Sequence, residues 1–270
     1  MTTRLHILVL ATLAASLTAC AAQDRSATAE SIAATAGLRR VVIKTGPFDL
    51  TAYVRVRDPA QPVVVYVEGD GAAWRSRSEP SQDPTPRHPM GLRLAGLDRS
   101  PNVAYLARPC QYSWGSACKV AYWTDRRFAE EVIAATSTAL DQLKATGGFH
   151  LVGYSGGAAV AALAAARRSD VLSLRSVAGN LDSEGINRHH GVSAMPASLN
   201  PIDVAPRLAH LPQTHLVGGD DKVVPPFIAE DFVSRLGDKR CVTITRLPKA
   251  SHDDGWESVW PAPIPICRSP

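Results

Sequence analysis

The stretch "FHLVGYSGGAAVAALAAARR", residues 149–168, changes character in its middle. Phe149–Gly153 suits a buried strand, apart from one histidine, and the alanine-rich run from Gly156 suits a helix continuing to Arg168. Between them Ser155 stands in the pattern G-x-S-x-G, Gly153-Tyr154-Ser155-Gly156-Gly157. A serine on so tight a strand-to-helix turn has a strained backbone and lifts its Oγ above the sheet edge. Side chains two residues to either side would collide there, so both positions want glycine. The alanines let the helix lie close against the sheet. Its N-terminus aims free N–H groups at any negative charge that develops nearby. A Gly-Ser turn without chemistry is the plain alternative, so the reading rests on partners.

A serine hydroxyl is a poor nucleophile at neutral pH and needs a base, itself oriented by an acid. Two downstream segments offer them. "LVGGDDKVVP", residues 216–225, reads as a strand ending in glycine and followed by an acidic pair, Asp220 and Asp221. After the strand-like run Val242–Arg246 comes "ASHDDGW", residues 250–256, with His252 in a glycine-containing loop. His189 and His190 are adjacent, point apart and read as surface residues. His88, His150, His210 and His215 show no partner pattern.

The order Ser, acid, His, with the loops that carry it, resembles the α/β-hydrolase superfamily over residues from about 38 to 260. The superfamily acid loop, G-x-x-D-x-x-V-P, aligns its catalytic acid with Asp221 and leaves Asp220 as a turn or capping residue. The same resemblance makes Ser155 the nucleophile and His252 the general base. It also implies an oxyanion hole of two N–H groups. One belongs to Gly156. The other is expected from Asp70, in the loop Val67–Gly71 after the third strand, with the Asp70 side chain turned away. Many members carry His-Gly-Gly there, whereas this chain has Glu68-Gly69-Asp70. Glu68 and Asp70 either bond the loop in place or attract a cationic substrate group. More narrowly, "YVEGDGAAW", "DPTPRHP", "ARPCQY", "WTDRRF", "LVGYSGG" and "AGNLD" resemble a group of exported bacterial proteins of this fold that imply no particular substrate.

The rest of the chain fits that frame. Leu38–Lys44 and Leu50–Arg57, separated by Gly46-Pro47, read as a hairpin. Val63–Val67 suits a strand covered on both faces, and Asn102–Leu106 is another strand. Four prolines make a loop of Glu79–Pro89, ahead of a short helix from Met90 to about Leu97. Residues Arg108–Trp123 read as a surface excursion. Thr124 or Asp125 is expected to cap a helix whose face carries Ala129, Val132, Ile133, Thr136, Leu140 and Leu143, ended by Gly147-Gly148. Later strands are expected at Leu174–Ala178, Thr214–Val217 and Val242–Arg246, with helices at Ile202–Ala209 and Phe227–Leu236. Strands alternating with helices predict an α/β fold: a mostly parallel eight-stranded sheet with helices on both faces. Gly179 to Pro212 leaves room for at most a small cap, so the site should be accessible. Trp74 and the loop Tyr112–Trp123 either line the substrate pocket or pack around a disulfide loop.

The ends and the cysteines speak to location. Arg4 precedes the apolar Ile7–Leu17, eleven residues, too short to span a bilayer but suited to a signal peptide. Leu17-Thr18-Ala19-Cys20 resembles the lipobox of bacterial lipoproteins, which are cut before a cysteine that then carries diacylglycerol. Ordinary secretory cleavage leaving a free Cys20 is the alternative. Ala21 after that cysteine implies sorting to the outer membrane, on its periplasmic face. The organisation expected is therefore a lipoprotein signal peptide over 1–19, a flexible tether over 20–37, with a short helix over Ala27–Ala36 as the alternative, and a hydrolase domain over 38–270. Four cysteines remain, and an even number in an exported chain suggests disulfides. Of three connectivities, Cys110–Cys118 closing a short loop and Cys241–Cys267 tying the last strand to the tail are expected. No C-x-x-C pair or metal-spaced histidine accompanies them, which argues against zinc.

Formal charge is +4, from 29 basic and 25 acidic residues, and no Lys/Arg cluster makes a footprint for nucleic acid. The whole reads as a monomeric, membrane-tethered serine hydrolase needing no cofactor or metal. Carboxylic esters are the first expected substrates. A peptidase or amidase of the same fold, or a non-catalytic envelope module, are the alternatives.

Overall fold

The computed structural model describes residues 25–143 and 146–268. Helix α1 covers residues 25–35. The opening hairpin is β1 (Arg39–Lys44) and β2 (Asp49–Val56), followed by β3 (Val63–Val67), α2 (Met90–Leu97) and β4 (Asn102–Leu106). Then come α3 (Glu130–Gln142), β5 (Phe149–Tyr154), α4 (Gly156–Ala165), β6 (Val171–Val177) and α5 (Ser183–His190). β7 (Gln213–Gly218), α6 (Phe227–Ser234) and β8 (Val242–Leu247) complete the series.

All eight strands join one sheet in the order β1-β2-β4-β3-β5-β6-β7-β8. Pairing is antiparallel in β1–β2 and β2–β4 and parallel from β4 through to β8. The apolar runs of β3 and β4 are buried along their whole length, as strands with cover on both faces must be. Val63, Val65 and Val67 face a core built with α3, α4 and α6, including Val132, Ile133, Leu163 and Phe232. Val64 and Tyr66 face a second core with α2, Trp256 and Trp260. Alternation along one strand thus feeds two separate cores. Every residue of α4 is buried, which its alanines and glycines permit by letting neighbours approach on all sides.

Several expectations need correction. The stretch assigned to a flexible tether is helical from residue 25. Ala29 and Ala33, one turn apart, are buried in the second core, and the Tyr53 hydroxyl donates to Glu30. Small side chains make that close packing available. Residues 1–24, with the expected signal peptide and Cys20, lie outside the described residues. Helix α3 starts at Glu130, without a Thr124 or Asp125 cap. The preceding turn is committed elsewhere: the Phe128 N–H donates to Ser198 Oγ and the Arg126 N–H to the Ala121 carbonyl. Helix α4 stops at Ala165, and in the turn that follows Arg167 pairs with Glu130 and Arg168 with Asp141 and Asp170. β6 begins three residues early and ends at Val177, since Ala178 has φ +48 and leaves the strand direction. Pro201–Leu208 is a 3-10 helix, where Pro206 has no N–H for an α-helical ladder. α6 ends at Ser234, with the chain turning at Arg235.

Candidate active site

β3, β4 and β5 run parallel, so the loops after Val67, Leu106 and Tyr154 emerge at one edge of the sheet. Ser155 sits there between β5 and α4, with φ +50 and ψ −123. That conformation costs a non-glycine residue about 1–3 kcal/mol. The surroundings hold it: the Ser155 N–H donates to Val177 O at 2.9 Å, and Ser155 O accepts from the Asn180 N–H at 3.0 Å. The glycines of the motif have measurable reasons. A Cβ at Gly153 would lie 2.3 Å from Ala158 Cα, and one at Gly157 would lie 2.2 Å from Val67 O.

His252 comes from the loop after β8, with Nε2 3.0 Å from Ser155 Oγ. Its Nδ1 is 3.0 Å from Asp221 Oδ2. The other carboxylate oxygen of Asp221 accepts the N–H groups of Val223 and Val224, both at 2.8 Å. The Asp221 side chain is fully buried, so the carboxylate meets donors on every accessible side. Asp220 is exposed and reaches neither. The histidine loop is pinned by two residues that sequence reasoning did not single out. The Tyr154 hydroxyl donates to Asp253 Oδ1 at 2.9 Å and lies 3.1 Å from His252 O, which also accepts Trp256 Nε1–H at 2.9 Å. Tyr154 lay in plain view as the variable residue before Ser155, but no local pattern says where its hydroxyl goes.

The loop after β3 departs from expectation. Among the described residues, the N–H groups of Asp70 and Gly156 have no hydrogen-bond acceptor. Both are therefore available to a ligand oxygen. The Asp70 side chain, however, is not turned away. A Cβ on Gly156 would lie 2.1 Å from Asp70 Oδ1. Two arginines neutralise that carboxylate: Arg108 at 3.1 Å and Arg127 at 3.3 Å. Both guanidinium carbons lie 5.3 Å from the centroid of the Phe128 ring, which orients them. These arginines occur in "ARPCQY" and "WTDRRF", but nothing in their spacing announces a shared carboxylate.

Glu68 is 1% exposed, and its Oε1 accepts the N–H groups of Gly69 and Gly91. It bonds the loop to the start of α2 and does not face outward to meet a cationic substrate. Burial pushes its carboxyl up to about 7, against the lowering effect of those N–H groups and of Tyr105.

Cys110 is linked to Cys118 and Cys241 to Cys267, the expected pairing. Trp123 is buried against Cys110 and Ala73, while Trp114 leans on it with ring centroids 5.8 Å apart. The aromatic loop is therefore partly a packing device. A groove of about 940 Å³ lies between β7, β8 and the C-terminal tail, and none of Ser155, Asp221 or His252 lines it. His189 is exposed, and His190 contacts Val223 O at 2.9 Å.

No protein-family model matches the sequence, and no curated protein matches it either. Solved structures do. A bacterial membrane phospholipase A, described as a virulence factor, is 17% identical with a TM-score of 0.57, covering 92% of this chain and 90% of its own. Est1E from Butyrivibrio proteoclasticus is 14% identical with a TM-score of 0.56, covering 79% of this chain and 90% of its own. A proline iminopeptidase from Mycobacterium smegmatis is 13% identical with a TM-score of 0.56, covering 79% and 91%. At such identities the shared property is the arrangement of strands and helices, and it agrees with the strand order above. The chain has the α/β-hydrolase fold.

Proposed function

We propose that the protein is a serine hydrolase, tethered to a membrane through Cys20 and acting on carboxylic esters. One observation carries the chemistry: His252 stands 3.0 Å from both the Ser155 hydroxyl and the Asp221 carboxylate, one through each ring nitrogen. In this reading Ser155 Oγ attacks the acyl carbon while His252 Nε2 takes its proton. Asp221 holds the ring orientation and stabilises the imidazolium that forms. The N–H groups of Gly156 and Asp70 receive the developing oxyanion, supported by the N-terminus of α4. His252 then returns the proton to the leaving group, and water resolves the acyl-enzyme by the same route.

A fluorophosphonate probe tests the reading. Stoichiometric labelling of the folded protein that disappears in Ser155→Ala is expected. Folded protein that stays unlabelled would instead mark a non-catalytic module on the same scaffold. A p-nitrophenyl ester series run beside aminoacyl amides then separates esterase from peptidase. Tethering is tested apart from catalysis: palmitate incorporation in cells should be lost in Cys20→Ser, and persistence would overturn the anchor.

A further inference from the structure

Three segments that are distant in sequence meet around the loop after β3, where a Cβ on Gly69 would lie 3.3 Å from Ser155 Cβ and Gln111 Nε2–H donates to Gly69 O. The Arg25 guanidinium, at the start of α1, bonds Asp83 Oδ2 at 3.1 Å and the Thr85 carbonyl at 3.1 Å. Thr85 Oγ1 in turn accepts the Tyr112 N–H at 3.0 Å. The loop after β3 is stitched to the loop after β4 through Trp123, whose Nε1–H donates to Ser81 O, and through the Ala73–Cys110–Trp123 cluster. Residues 72–88, residues 110–123 and the head of α1 therefore make one continuous surface on the edge of the sheet that carries Ser155.

This surface has the composition of a membrane interface. Trp74 is 45% exposed, Trp114 60% and Val120 37%, three large apolar groups left partly in water on loops that the contacts above link. Tryptophan is the residue favoured at the headgroup level, where its ring is half apolar and half wet. The same segments carry Arg75, Arg77, Arg87 and Lys119 with Arg25, against only Glu79 and Asp83, a net charge of +3. Cys20 lies five residues before Arg25, so even full extension lets it stray no more than about 18 Å from that surface.

We propose that these two loops form a docking surface for an anionic lipid bilayer, which turns the sheet edge that carries Ser155 toward the lipid. The tryptophans supply apolar burial and the cations supply attraction to anionic headgroups. A lipid on Cys20 would hold the protein with this side down rather than leave it swinging on a long leash. An ester resident in the bilayer would then reach the serine without a lid opening.

This surface deepens the tethered-hydrolase reading and rests on it for the link to Cys20, so the experiment separates the two. The chain from Cys20 onward with Cys20→Ser carries neither leader nor lipid. It should co-sediment with vesicles of phosphatidylethanolamine and phosphatidylglycerol at least about tenfold more tightly than with phosphatidylcholine vesicles, and should release as salt rises. Trp74→Ala with Trp114→Ala should weaken that binding by about tenfold or more at an unchanged unfolding midpoint. Should the double variant not fold, quenching of tryptophan emission in the unsubstituted chain by brominated lipid decides, and quenching in anionic vesicles is expected. Equal binding to both vesicle types, absence of quenching, or a folded double variant that binds as before would each overturn the surface. Docking without palmitate at Cys20 in cells would overturn the anchor alone.

Discussion

The Asp70 carboxylate fills the space that a side chain on Gly156 would need, with Oδ1 2.1 Å from where that Cβ would stand. The glycine after Ser155 thus answers to more than the turn itself. It leaves room for a carboxylate held by Arg108 and Arg127, and in the proposed reaction these arginines would keep that carboxylate from repelling the oxyanion received by the Asp70 N–H.

Gly156→Ala should therefore displace Asp70 and misalign both N–H donors. We expect a loss on the order of 10²–10³ in kcat, as for removal of one oxyanion donor, with a smaller effect on KM. Steady-state kinetics on a soluble ester would measure it. Unchanged kcat would show that the Asp70 N–H takes no part.

Ser155, His252 and Asp221 should act as a unit. Ser155→Ala and His252→Ala are each expected to lower kcat by on the order of 10⁴ or more, and the double variant should be little worse than either. Asp221→Asn should fall by roughly 10³–10⁴ because the ring then adopts the wrong tautomer. Single-turnover rates of the four proteins check this, and additive losses would contradict it.

Glu68 ties stability to pH. Its carboxyl is raised from 4.5 to about 7 by burial, so between those values the folded protein holds a proton that the unfolded chain has released. Its stabilising contribution is present below pH 4.5 and is lost as pH rises through 7, by up to roughly 3 kcal/mol. Glu68→Gln keeps an acceptor for the Gly69 and Gly91 N–H groups and removes this dependence. Urea unfolding at pH 5 and pH 8 should show the variant gaining on the wild type at the higher pH. The buried His215, pushed down to about 4 by desolvation, works in the opposite sense and weakens the fold as pH falls below 6.5. It is common to both proteins and cancels in the comparison.

The two disulfides should differ in worth. By loop-closure entropy the Cys110–Cys118 link, with a separation of 8 residues, contributes about 2.5 kcal/mol, and Cys241–Cys267, with a separation of 26, about 3.5 kcal/mol. Paired Cys→Ser substitutions followed by denaturant unfolding give the ranking. The first pair should also free the Trp114–Trp123 contact, seen as a change in tryptophan emission.

Local chemistry wrote much of this fold into the chain. Strand-forming runs of about five residues, glycines about Ser155 and an alanine-rich helix made β3, β5 and α4 readable, because each depends on a residue and its near neighbours. The loops that carry Ser155, Asp221 and His252 were readable from turn signals, while the roles expected of them came from the superfamily resemblance. What only the tertiary structure decided are the meetings of distant side chains. The superfamily loop pointed to Asp221, but its meeting with His252, with the Val223 and Val224 N–H groups holding its other oxygen, belongs to the tertiary structure. Tyr154 and Trp256 reach one carbonyl, and Arg108 and Arg127 share one carboxylate, from segments that no periodicity links. Helix α1 formed where composition suggested a loose tether, because Ala29 and Ala33 found a surface to bury against. Contacts of this kind depend on where side chains point once the sheet has assembled, and that direction is a property of the whole chain.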